Sequence, residues 1–371
     1  MPLTFAEWPF QPSHKRTIEE NNQWWQECYF AGATDAITRG HAHWQIIHGE
    51  SGSGKSVLID AIRRRAEPST LIVEYRPDYW PSGKQAWSKD PTHFAQIMAR
   101  AMLKLRQDLA RAPNAITRLS PNQLIFLRWL ITLFDNPRAF TRWCEALPGE
   151  TQKNLEPVPF DDMYTEQDEW RSVQGQIEDL LNLINALGYS QVLILVEVEQ
   201  GLAQPAMESA GELFGWLELM QHPGLDALAV MPTTIFESAN LFSRSRGRAH
   251  ILPIQWSRTQ VRQIAEKHVQ AATAHHISQL TQLIDDQTLN FAEALVLAEK
   301  GALKPQYWID LARVILQVAQ TQALPLGEQH YNAIKCEFYA RCVPLRLDAG
   351  TTGMAFGEAR HLLNWKTNRT A

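Results

Sequence analysis

Gly49-Glu50-Ser51-Gly52-Ser53-Gly54-Lys55-Ser56 has the spacing GxxxxGK[ST] of a loop that wraps phosphate groups. The residue types match that task. Glycines allow a tight turn whose backbone N–H groups converge on anionic oxygens. A helix beginning at the end of the loop adds the positive end of its dipole. Lys55 is placed to reach the β- and γ-phosphates of a nucleotide, and the Ser56 hydroxyl to ligate Mg²⁺. Gly49, Glu50, Ser51, Gly52, Ser53, Gly54, Lys55, Ser56 and Val57 are therefore the candidate residues for binding ATP.

The flanks of the loop agree with this reading. His43-Trp44-Gln45-Ile46-Ile47-His48 predicts a short buried strand entering the turn. Ser56 to Arg65 predicts a helix with Val57, Leu58, Ala61 and Ile62 on its apolar face. Arg63-Arg64-Arg65 at its end suits the negative end of a helix dipole better than a nucleic-acid patch. Further strands are expected at 71–75, 191–196, 228–231 and 251–254. Continuous apolar strands separated by helices imply a parallel sheet covered on both faces.

Residues 76–190, 115 in number, read as a helical insertion, with helices expected at 94–111, 123–134 and 170–187. From Glu150 to Leu180 there are nine Asp or Glu against two Lys or Arg, which reads as a solvated linker. After Ile254 four helices are expected, at 258–270, 276–284, 291–300 and 307–320. Val343 to Phe356 reads as a hairpin around a glycine-rich turn. The expected division is an N-terminal segment 1–40, a core 41–255 holding the insertion, a helical lid 256–325 and a tail 326–371.

Mg²⁺ at such a loop needs a carboxylate, and a second carboxylate usually polarises the attacking water. Val192-Leu193-Ile194-Leu195-Val196-Glu197-Val198-Glu199 is an apolar strand ending in acids. Two residues apart, Glu197 and Glu199 face the same side of an extended chain. Both are catalytic candidates, and Glu197 is the candidate metal ligand with Ser56. The plain alternative is a strand end carrying two solvated acids.

With an acidic strand, a strand inserted between it and the loop strand, and a helical lid, the chain resembles the AAA+ and STAND branch of P-loop ATPases. Origin-recognition and bacterial helper ATPases are similar in particular. The resemblance implies an α/β fold: a parallel-sheet P-loop NTPase core of the ASCE/AAA+ type with a helical insertion and a helical lid. In those families the acidic strand ends in adjacent Asp and Glu. Here Val196 or Val198 stands in one of the two places, depending on where Glu197 is aligned. The resemblance also implies a γ-phosphate sensor at Thr233, after Leu228-Ala229-Val230-Met231-Pro232. It implies a basic lid residue at Lys304. It offers Arg244, Arg246 and Arg248 as arginines reaching a neighbour's nucleotide, with a merely basic loop as the equal alternative. Phe5-Ala6-Glu7-Trp8-Pro9-Phe10 is similar to the aromatic-proline entry of helper ATPases.

Composition narrows the role. With 35 Lys and Arg against 40 Asp and Glu, the net charge is −5, so the chain is not built wholesale for polyanions. Residues 321–371 hold six Lys or Arg against four Asp or Glu, too little for phosphate tracking by a winged domain. DNA stays open as a partner only through local patches. Four cysteines without CxxC spacing and twelve scattered histidines indicate neither a disulfide scaffold nor zinc. No signal peptide and no membrane span are expected, and the chain reads as cytoplasmic. Three functions compete. One is an ATP-hydrolysing helper of a partner protein or DNA complex, with ATP-driven self-association. The second is a STAND-type signalling or defence switch with slow or no hydrolysis. The third, a nucleoside-kinase-type phosphotransferase, has no use for the late helical bundle.

Overall fold

A computed structural model of the chain describes residues 3–31, 44–77, 93–134, 142, 144–146, 149, 172–198, 204–245, 247–300 and 303–342. Their described parts form two compact units: Ala31–Trp256, and Met1–Phe30 together with Ser257–Ala371.

The first unit is built on five strands: β1 (Trp44–Gly49), β2 (Thr70–Tyr75), β3 (Gln191–Glu197), β4 (Leu225–Pro232) and β5 (His250–Pro253). They form one parallel sheet in the order β2-β3-β4-β1-β5. β4 thus lies between the loop strand β1 and the acidic strand β3. Side chains alternate between the two faces. Ile47, Leu195, Leu228 and Val230 meet Leu58, Ile59 and Ile62 of the helix Lys55–Arg65. On the opposite face Ile46, Val73, Ile194 and Ala229 join a larger core with the helices His93–Arg111, Pro121–Phe134, Val173–Leu187 and Gln204–Leu219. The inserted helices therefore continue the core of the sheet. Their apolar stripes are too large to remain in water: each buried Leu or Ile contributes about 1.5–3 kcal/mol.

β4 begins earlier than the expected 228, because Gly224 at φ 92° closes the preceding turn and releases Leu225 into the sheet. At 204–219, where no helix was expected, a helix buries Leu213, Phe214 and Leu217.

In the second unit, helix Ile18–Glu27 starts from a capping box in which the Thr17 side chain accepts from Glu20 N and Thr17 N donates to Glu20. Helices Arg258–Ala272, Asp286–Lys300, Pro305–Ala319 and Tyr331–Cys342 complete it. The helix expected at 276–284 is absent. Thr273 Oγ1 accepts from Ile277 N at 3.2 Å and donates to Val269 O at 2.9 Å, which ends the preceding helix. The chain then turns through Ala274 and His275 at positive φ, and only Leu280–Gln282 closes, as a 3₁₀ turn. The hairpin expected at 343–356 and the acidic stretch 150–171 lie outside the described residues. No helix among the described residues is long and apolar enough to cross a membrane.

The core of this unit holds a histidine. His268 is buried between Phe10 and Trp24, and its Nδ1 lies 2.8 Å from Ile264 O. Burial lowers its pKa to about 4, with nearby Arg16 and Lys267 acting in the same direction. The folded pKa lies below the unfolded value of about 6.5, so the neutral ring is favoured in the fold. Its contribution is complete above pH ~6.5 and is lost as pH falls from there through about 4, up to about 3 kcal/mol. The melting temperature is expected to drop between pH 7 and pH 5. A His268→Leu variant should flatten that drop; an unchanged slope would show that other groups cause it.

Candidate functional site

β1 ends at Gly49, and the chain turns through Glu50–Gly54 into the helix starting at Lys55. Gly52 and Gly54 have φ of 77° and 94°, left-handed values that a side chain would strain. Gly49 is needed for a different reason: a Cβ there would lie 2.5 Å from Ser53 Oγ and 3.1 Å from Ile254 Cβ. Ser53 N donates to Glu50 O at 3.2 Å, closing the turn. Lys55 Nζ donates to Gly49 O at 2.9 Å and Glu50 O at 2.8 Å, bridging the loop it follows. Ser51 and Ser56 are exposed, and Val57 is half-buried in the first helical turn.

One atom stands out. Ser53 is only 3% exposed, and its Oγ has no hydrogen-bond partner among the described residues. A buried hydroxyl left without a partner costs about 1–3 kcal/mol, which a hydrogen bond to a bound oxygen would offset. The Ser53 hydroxyl sits in the loop preceding a helix start, whose first N–H groups lack intrahelical acceptors, and the Lys55 ammonium. This set of donors fits a phosphate chain.

Glu197 closes β3, opposite Val230 of β4. It continues the alternation of Leu193 and Leu195, so it falls on the face carrying the helix Lys55–Arg65. Its carboxylate pairs with Arg76 Nη2 at 2.5 Å. Arg76 follows the last residue of β2, the strand beside β3. Val196 and Val198 are 0% and 2% exposed, packed on the opposite face. Neither neighbour of Glu197 therefore offers a polar group on its side of the sheet. Glu199 lies outside the described residues.

Thr233 begins a short helix directly after β4, where Pro232 is in register with Gly49. Its Oγ1 is 3.3 Å from His48 Nδ1, and the His48 ring stacks on Phe236 at 4.1 Å between centroids. Burial lowers the His48 pKa, with Glu237 opposing, so the ring favours its neutral form. Thr233 is thus coupled to the residue preceding the loop.

The arginine loop is partly accounted for within the chain. Arg248 pairs with Glu218, and Arg244 packs against Gly211, where a Cβ would collide with its guanidinium. Both partners belong to the helix Gln204–Leu219. Arg246 lies outside the described residues. Lys304 is in the second unit, where it caps Pro305–Ala319 and lies 5.6 Å from the Tyr307 ring.

Sequence reasoning missed three contributors: Arg76, His48 and Trp256. Trp256 Nε1 donates to Ser53 O at 2.9 Å. A charged residue just past a buried strand, and an aromatic just before the Ser257 helix cap, were the available signals. Among the described residues no group of three His, Cys, Asp or Glu is placed to hold a metal ion. No protein-family model matches this chain, and no curated protein matches it significantly in sequence.

Proposed function

We propose that the chain binds ATP with Mg²⁺ at Gly49–Val57 and works as an AAA+-like regulatory ATPase, a nucleotide-switched helper of a partner protein or DNA complex. The observation that carries this reading is the loop itself. Two left-handed glycines join β1 to a helix start, and the loop encloses a buried Ser53 hydroxyl without a partner among the described residues. The position of β4 between β1 and β3 supports the same branch of P-loop folds. In this reading the loop N–H groups and Lys55 hold the phosphates, Ser56 and Glu197 hold Mg²⁺, and Thr233 senses the terminal phosphate. Bound Mg²⁺ supplies charge neutralisation on the phosphate oxygens.

A second reading, a STAND-type switch with slow or no hydrolysis, is favoured by one observation. Glu197 is engaged by Arg76, and its neighbours Val196 and Val198 are buried on the other face. Melting curves with and without millimolar Mg-ATP test both readings. A ligand at 100 times its Kd stabilises by about 2.7 kcal/mol. That corresponds to roughly 5–10 °C for a unit of this size. No shift would sink nucleotide binding altogether. Phosphate release by the same sample then separates helper from switch: steady turnover supports the first, a shift without turnover the second.

A further inference from the structure

We infer that Trp256 is a positioning residue for the phosphate loop, its indole N–H holding the Ser53 carbonyl so that the Gly54 N–H is aimed at the bound phosphates. The inference rests on the nucleotide-binding reading and adds to it a residue far from the loop in sequence.

The argument begins with the peptide joining Ser53 to Gly54. A trans peptide is planar, and its C=O and N–H point in opposite directions. Trp256 Nε1 donates to Ser53 O at 2.9 Å, so this carbonyl is fixed toward the indole and the Gly54 N–H is fixed away from it. Gly54, at φ 94°, has no side chain to restrict rotation of this peptide, so the hydrogen bond on its carbonyl side sets the N–H direction. The indole lies beside Gly54 without crowding it: a Cβ there would lie 3.8 Å from Trp256 Cζ2, an ordinary van der Waals contact.

The tryptophan is itself anchored. Ile254 N donates to His48 O at 2.8 Å, extending the pairing of β5 with β1 one residue beyond Pro253. Trp256 follows two residues later, so its approach to the loop is set by the sheet. Preorganised N–H donors bind an anion more tightly than donors that must first be ordered. The unliganded loop already has its own bonds from Lys55 and Ser53, so losing the indole bond need not unfold it.

Trp256→Phe keeps an aromatic ring and removes the donor. Affinity is measured by calorimetry at low temperature for Mg-ATP and for inorganic tripolyphosphate, which has no base or sugar. One hydrogen bond of this kind is worth roughly a threefold to tenfold change in affinity. The expected result is an equal loss of that size for both ligands, with the unliganded melting temperature lowered by no more than about 5 °C. Should the phenylalanine variant fail to fold, benzothienylalanine placed at Trp256 keeps the ring shape and replaces the N–H by sulfur. Wild-type affinity for both ligands would overturn the inference and leave the nucleotide site standing. A loss confined to Mg-ATP would overturn it in favour of a contact with the base. Failure of the wild type to bind either ligand would overturn both the inference and the reading beneath it.

Discussion

Lys55→Ala is expected to abolish the thermal shift produced by Mg-ATP, reducing a wild-type gain of roughly 5–10 °C to less than about 1 °C. In the structure the ammonium group spans the carbonyls of Gly49 and Glu50 at 2.9 and 2.8 Å. It therefore sits over the loop before any ligand arrives, and its removal deletes both the cation and two bonds that close the turn. Those two bonds are exposed or half-buried, so their loss should cost the unliganded protein only about 1 kcal/mol. The fold is expected to survive because Leu58, Ile59 and Ile62 carry the packing of the helix. A Lys55→Ala protein that keeps the full shift would show that the phosphates are held elsewhere.

Glu197→Gln is expected to keep the Mg-ATP shift within about 2 °C while phosphate release falls by roughly 10²–10⁴-fold, the range for removing a positioned acid–base group. The amide has the same size but can neither take a proton nor carry charge to a metal. The ion pair to Arg76 is also lost. With Arg76 38% exposed and Glu197 only 16%, losing that pair should lower stability by roughly 1–3 kcal/mol. Glu199→Gln is the paired control. If it alone stops turnover while Glu197→Gln does not, the catalytic role moves two residues along the chain. Turnover unchanged in both variants would leave the acidic strand end as a solvated feature without a catalytic part.

Much of the architecture was open to reading from local pattern. β1, β2 and β3 appear within a residue or two of the apolar runs that predicted them, because a parallel strand buried on both faces must be apolar throughout. The helix after the loop and those at 93–111 and 305–319 follow their three- and four-residue apolar spacing. Helix Ile18–Glu27, for which no prediction was made from the sequence, was legible too: Thr17 and Glu20 have the spacing of a capping box. The stretch 276–284 has helical apolar spacing, with Ile277, Leu280, Leu283 and Ile284 all buried, yet it does not form a helix. There the Thr273 hydroxyl takes the Ile277 amide, a competition that hydrophobic periodicity does not register.

The loop at 49–56 belongs to the part that chemistry along the chain specifies. Glycine at the left-handed positions is a requirement of local backbone geometry, and Lys55 reaches back only to Gly49 and Glu50, so both are written in nearby residues. The environment of the loop is another matter. The indole of Trp256 reaches Ser53 across 203 positions, His48 meets Thr233 across 185, and Arg76 meets Glu197 from a neighbouring strand. These pairings depend on the order β2-β3-β4-β1-β5 and on strand register, which arise when helices cover both faces of the sheet. A single strand carries only its own alternation of side chains. Which strand lies beside it, and hence which side chain a loop residue or a carboxylate meets, is decided by how the apolar faces of the whole unit are buried together.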